Sequence, residues 1–152
     1  MSAPGEILAL AGLGGGTEAA AAVAQRGDIF RMVEAAETAV LCPAEPGGLP
    51  IPLRGRLAAG MAEAHGLPEL AAHYRARTET MGDVALADGL EQAVAAFAEM
   101  AAMRPRDATG GDIDALRGAG LAEPDIVRLC ELTAFVAFHI RVVIGLRVME
   151  GQ

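Results

Sequence analysis

The sequence predicts an all-α fold, and three observations carry that reading. More than half of its 152 residues are apolar, with alanine the commonest of them. Only five are aromatic, Phe30, Phe97, Phe135, Phe138 and Tyr74. A core of Ala, Leu and Val with few rings suits helices that approach closely, whereas a β-sandwich calls for β-branched and aromatic runs. Finally, apolar residues recur at helical spacing between Pro- and Gly-marked breaks. The length fits one compact domain with a real core.

Taken in order, GLGGG at Gly12 to Gly16 reads as a flexible connector before a helix capped by Thr17. A phosphate loop would end in Gly-Lys-Ser/Thr, and a dinucleotide fingerprint would follow a strand, for which LALA is a poor candidate. The first helix runs from Thr17 to about Gln25. Gly27-Asp28 marks a break and a new N-cap, and the second helix runs to Leu41, with Met32, Val33, Ala36 and Val40 as its apolar face. Cys42-Pro43 ends it, and Pro43 to Pro52, with four prolines and two glycines, is a loop. The third helix, Leu53 to Ala64, turns Leu57, Ala58, Met61 and Ala62 inward. His65-Gly66 ends it, with His65 facing the helix dipole and Gly66 as the left-handed terminator. Pro68 opens a fourth helix to about Thr80, so short a turn making an αα-hairpin. A long helix spans Ala85 to Met103 and stops at Arg104-Pro105-Arg106. Thr109 or Asp112 caps a short helix ending at Gly118 or Gly120. Glu123-Pro124-Asp125 opens the last helix, which runs to Glu150 and is apolar on most sides past Leu129. Such a helix is either central to the core or shared with another subunit, so a homo-oligomer is expected.

Charge narrows the function classes. The net charge is −8 with a pI near 4.8, which repels a phosphate backbone, so nucleic acid is not expected as a partner. All twelve basic residues are Arg; without lysine there is no Schiff base and no covalently held pyridoxal phosphate. No cofactor is expected. The start of the chain lacks a basic segment and carries Glu6, unlike a signal peptide. The apolar run Leu132 to Val148 contains His139, Arg141 and Arg147, too short and too charged for a comfortable membrane span. A cytoplasmic location without membrane partners follows as the expectation. Of the two cysteines, Cys130 reads as a buried small hydrophobe and Cys42, before Pro43, as the more exposed. They form no CxxC pair, and a disulfide between them stays open.

The stretch GLPELAAHYRA, Gly66 to Ala76, places Glu69 and His73 four residues apart on one helix face. A carboxylate beside an imidazole fixes its tautomer, and the pair can shuttle a proton near neutral pH. The competing reading is a weak surface pair worth about 0.3–0.5 kcal/mol. His65, Glu69 and His73 share a spacing of four, but Gly66-Leu67-Pro68 interrupts the helix, so no metal site is expected.

Two blocks, Leu53 to about Tyr74 and Thr109 to about Met149, resemble the alkylhydroperoxidase D-like / carboxymuconolactone decarboxylase superfamily. The first contains Glu69-Leu70-Ala71-Ala72-His73, similar to the Glu-Leu-x-x-His step of the decarboxylase branch. Where the peroxidase branch carries Cys-x-x-Cys-x-x-x-His, this chain has Gly66, Glu69 and His73, and Arg54 falls where that branch usually has a glutamate. The second block, TGGDIDALRGAGLAEPDIVRLCELTAFVAFHIRVVIGL, is similar to the C-terminal half of peroxidase-related members, with Ile140-Arg141 where they often have Asn-Arg and His139 just before. The resemblance covers roughly 60 residues and implies an alkylhydroperoxidase D-like helical bundle over 51–152, with 1–50 as a helical extension and linker.

Peroxide reduction needs a low-pKa thiolate and a resolving thiol, and glycine and glutamate supply neither. Peroxidase activity of the CxxC type is therefore not expected. The decarboxylase branch implies catalytic His73 and Glu69 acting on a small carboxylate or lactone, with Arg54 or Arg56, or Arg141 near His139, clamping the substrate carboxylate. Arg141 reads equally as half of an interhelix or intersubunit salt bridge. Three readings stand: acid–base enzyme, cysteine-less structural or regulatory partner of a peroxidase-like protein, and redox protein acting through Cys42 or Cys130.

Overall fold

Proline and glycine set the helix boundaries. In the computed structural model, which describes residues 3–79 and 86–151, eight α-helices and a 3-10 turn before the seventh follow one another among those residues, with no strand. They are α1 (Ala3–Leu10), α2 (Glu18–Gln25), α3 (Gly27–Leu41), α4 (Ile51–Ala64), α5 (Pro68–Thr78), α6 (Asp88–Met103), the 3-10 turn Pro105–Asp107, α7 (Gly110–Gly118) and α8 (Glu123–Met149). The all-α expectation holds.

Local chemistry explains the ends. Thr17 Oγ1 accepts the Ala20 amide at 3.1 Å and caps α2. At α7 the Asp112 carboxylate accepts both the Thr109 amide, at 2.7 Å, and its hydroxyl, at 2.9 Å. Gly66, at φ +69°, closes α4: its amide reaches Glu63 O at 2.9 Å while that of Leu67 reaches Ala62 O at 3.0 Å. Gly120 repeats the device after α7, and buried Leu116 and Leu121 flank it.

Helix α1, ahead of Thr17, adds to the elements read from the sequence and turns Ile7 and Leu10 into the core. Two sequence expectations are corrected. Helix α3 starts at Gly27, with Arg26 and not Gly27-Asp28 at the cap, and Asp28 instead pairs with Arg31 in the first turn. The inward face of α3 is also rotated from the expected stripe. Met32 and Ala36 are exposed, and Glu37 and Leu41 are buried. The expected helix end at Thr80 and start at Ala85 lie outside the described residues.

Helices α4 and α5 form the expected hairpin and make the most extensive helix–helix contact. Leu57, Ala58, Met61 and Ala62 all face inward. Gly55 lets the hairpin close, because a Cβ there would run into the side chain of Thr78. The centre is α8, which touches α1, α2, α3, α4, α6 and α7 and buries Leu129, Leu132, Val136, Ile140 and Val143. By length and composition α8 also meets the criterion for a membrane span, with 44% of its most apolar stretch buried. One apolar cluster runs from Ile7 to Leu146 and draws on every α-helix, those of the first fifty residues included.

The hairpin contact makes Gly55→Ala destabilising by about 1–3 kcal/mol in urea unfolding, as overpacking does. Adding Thr78→Ala should relieve part of that loss, a non-additivity expected of touching residues. Two costs that simply add would mean the helices do not meet there.

Candidate functional site

Glu37 is a carboxylate with its side chain turned into the protein, only 4% exposed. It sits on the α3 face that also carries Val33 and Leu41, four residues to either side. An isolated buried carboxylate is very costly, so it must be paired. Two imidazoles lie against it. His73 of α5 has Nε2 2.7 Å from Glu37 Oε1, and His139 of α8 has Nδ1 3.5 Å from Oε2. Arg77, one turn after His73, brings Nε to 3.3 Å of Oε1. That nitrogen makes no hydrogen bond, so Arg77 contributes charge there while its Nη2 donates to Thr38 Oγ1 at 2.8 Å.

Behind this layer, the fully buried Tyr74 has its hydroxyl 2.9 Å from His139 Nδ1. In front, Glu6 of α1 has Oε1 3.6 Å from His73 Nδ1. His73 thus lies between two carboxylates from different helices. A cavity of about 20 Å³ adjoins the cluster, between Glu6, Ile7 and Leu10 of α1, Phe30 and Glu37 of α3, and His139. It has room for a single water.

Electrostatics sort the groups by role. Burial pushes the Glu37 carboxyl up, but the hydrogen bond and charge of His73, with His139 and Arg77, outweigh it and leave the pKa below the usual range. Glu37 is therefore an anion. Burial lowers His139 to about 4, against the pull of Glu37 and with the repulsion of His73, so it is neutral and can accept the Tyr74 proton. Burial, then Glu37, raises the Tyr74 phenol far above its usual value. His73 stands at the edge of the cluster, its side chain 12% exposed.

The sequence-predicted residues separate. Glu69 does not pair with His73; it is exposed, with Oε2 3.3 Å from Arg147, so Glu37 replaces it as the partner of the imidazole. His73 and His139 are brought to one carboxylate. Arg54 stands apart: 2% exposed, it donates to Leu49 O at 2.8 Å, Val40 O at 2.7 Å and Pro46 O at 2.9 Å. Its guanidinium is committed to the end of α3 and the loop before α4. Arg141 is exposed on α8 and donates to Ala137 O at 2.8 Å. Arg56 pairs with Glu91 at 2.9 Å. His65 donates from Nδ1 to Met61 O at 2.9 Å, at the end of α4 as expected.

Both cysteines are free and half-buried. Cys42 donates weakly to Arg77 O, at 3.6 Å. Cys130 lies in a groove with Thr133, Ala137 and Pro105, where burial and then Glu131 push its thiol up. Among the described residues, no three His, Cys, Asp or Glu side chains are placed so that they could hold a metal ion. Sequence reasoning missed Glu37 and Tyr74. The available signal was a glutamate four residues from Val33 and four from Leu41, and so on the same helix face as both. No protein-family model matches the chain, and no curated protein or solved structure matches it.

Because His139 stays neutral when folded, the unfolded chain binds the extra proton from pH 6.5 down to about 4. Stability therefore falls as pH drops through that window, by up to about 3 kcal/mol. Glu37, with its folded pKa depressed, adds to the loss as pH falls further through that pKa. Urea unfolding across the range checks this. An imidazole NMR signal of His139 that titrates near its ordinary value would remove the cause.

Proposed function

We propose that this chain is an acid–base enzyme of the alkylhydroperoxidase D-like / carboxymuconolactone decarboxylase type, acting on a small lactone or carboxylate without thiol chemistry. The observation that carries the reading is Glu37, one buried carboxylate within reach of two imidazoles on different helices. His73 is the proton donor. Glu37 orients it through the 2.7 Å contact to Nε2. His139, which accepts the Tyr74 hydroxyl proton at Nδ1, packs behind the cluster. Arg77, already at the cluster, is the cation available to a substrate carboxylate, in place of Arg54 and Arg141.

In a decarboxylation the bond between carbon and the leaving carboxylate breaks. Its electron pair passes into the conjugated system of the lactone, and a ring carbon takes the proton from the His73 imidazolium. Solvent then returns a proton to His73. No electron leaves the system, so no thiol and no oxidant is needed. A substrate larger than water requires α1, which carries Glu6, Ile7 and Leu10 along one wall of the cavity, to move aside.

A second reading is favoured by the size of that cavity: the cluster is a closed electrostatic latch joining α3, α5 and α8 in a chain that performs no turnover and serves as a structural or regulatory partner. The two separate on direct assay with a carboxymuconolactone-type lactone acid and related carboxylates, followed by loss of ultraviolet absorbance. The enzyme reading expects turnover that His73→Ala lowers by about 10²-fold or more and that Glu37→Gln lowers by about tenfold or more, in protein that remains helical. Turnover indifferent to His73→Ala, or none with any lactone acid tested, supports the latch. Consumption of an organic hydroperoxide at an enzymatic rate would overturn both.

A further inference from the structure

Helix α8 leaves one stripe of its surface uncovered. Val127, Glu131, Ala134, Phe138, Arg141 and Gly145 are all exposed, Val127 at 57% and Phe138 at 45%. Their spacing alternates four and three, the period of a coiled-coil seam. Among the described residues, Glu131 has no ion pair and Arg141 bonds only the carbonyl of Ala137.

Run in the opposite direction, the stripe is its own complement. Centred beside Val136, a reversed copy sets Val127 against the partner's Gly145, Glu131 against the partner's Arg141, and Ala134 against the partner's Phe138. Each contact joins a large side chain to a small one, or an anion to a cation, and symmetry makes each of them twice. A parallel pairing has the opposite character. It stacks Glu131 on the partner's Glu131 and Arg141 on the partner's Arg141, like charge on like, and crowds two Phe138 rings together.

A groove beside the stripe fits the same register. It has a volume of about 200 Å³ and is lined by Cys130, Thr133, Ala134, Ala137, Arg141 and Pro105. It lies where the partner's Phe138 would seat. Exposed Ile144, Val148 and Met149 extend the apolar surface at the end that meets the partner's Val127.

We propose that α8 forms the interface of an antiparallel, two-fold symmetric dimer of this chain, with Glu131 paired to the partner's Arg141. The seam runs about 27 Å at 1.5 Å per residue. This is a small isologous interface, stabilised by apolar contact and selected for direction by its charges. The inference stands independently of any activity.

Sedimentation velocity over a range of concentrations tests it. The wild-type chain should dimerise. Glu131→Arg and Arg141→Glu should each weaken the dimer by about tenfold or more, because each places like charges opposite one another at two symmetric sites. The double variant E131R/R141E, which exchanges the partners, should restore dimerisation to near the wild-type constant. All of these positions are exposed, and far-ultraviolet circular dichroism verifies that the variants fold. Phe138→Ser gives an independent loss. A wild-type chain that stays monomeric or forms an odd-numbered assembly overturns the proposal. So does a dimer indifferent to the single reversals, or a double variant no better than either single one. Co-sedimentation with neutral or anionic phospholipid vesicles in place of self-association overturns it as well.

Discussion

A carboxylate held inside an apolar protein must be neutralised by what surrounds it, and Glu37 organises this molecule on that condition. Its two oxygens face imidazoles from α5 and α8, helices far apart in sequence. The contact fixes the rotation of α3. With Glu37 inward, Met32 points to solvent although it belongs to the helix's most apolar spacing. It also fixes the place of α1, whose Glu6 approaches the far nitrogen of His73. Packing by apolar area alone is nearly indifferent to small rotations of an alanine-rich helix. The electrostatic cluster is not, because losing one partner leaves a charge buried without compensation.

The second buried charge is handled differently. Among the described residues Arg54 meets no carboxylate within bonding distance; its nitrogens are satisfied by three backbone carbonyls, those of Val40, Pro46 and Leu49. Those carbonyls lie at the end of α3 and in the proline-rich loop, where helix and sheet bonds are unavailable. Arg54 thus supplies donors to a segment that cannot satisfy itself and draws it onto α4. The same loop closes onto the start of α8, where a Cβ at Gly47 or Gly48 would strike the side chain of Asp125. Asp125 in turn pairs with Arg128 at 2.8 Å. The end of α3 that leads away from Glu37 is therefore anchored.

Helix boundaries were legible in the sequence because they depend on local chemistry. Thr17, Thr109 with Asp112, Gly66 and Pro68 act within a few residues, and each sits where its capping or turn chemistry requires. The inward face of α4 was legible too, since the hairpin turn leaves one arrangement for α4 and α5, and the apolar character of α8 on most sides marked it as central or shared, though not which of its faces turns inward. The site was legible only in part. His73 is conspicuous as an imidazole in an alanine-rich helix, and its i+4 relation to Glu69 is real. That relation gives two side chains on one face, not a bond, and tertiary contacts decided the partner: Arg147 took Glu69, and Glu37 took His73. Nothing local distinguishes Glu37 from an exposed glutamate except its apolar neighbours one turn away on each side. A buried arginine held by carbonyls has no sequence signature, because its partners are backbone atoms and any residue could provide them.

Helix α8 carries two features that its own geometry keeps apart. His139 and Arg141 are two positions apart, so they project to nearly opposite sides of the helix. The first faces Glu37 in the interior, and the second lies on the self-complementary outer stripe. A charge reversal on the stripe consequently leaves the carboxylate–imidazole cluster intact, and removal of His73 leaves the stripe intact. The chemistry open to the inner side is set by what is gathered there: two carboxylates, two imidazoles, a phenol and a guanidinium, with the thiols unpaired. These groups hold, donate and accept protons, and a mechanism built from them must conserve the electrons of its substrate.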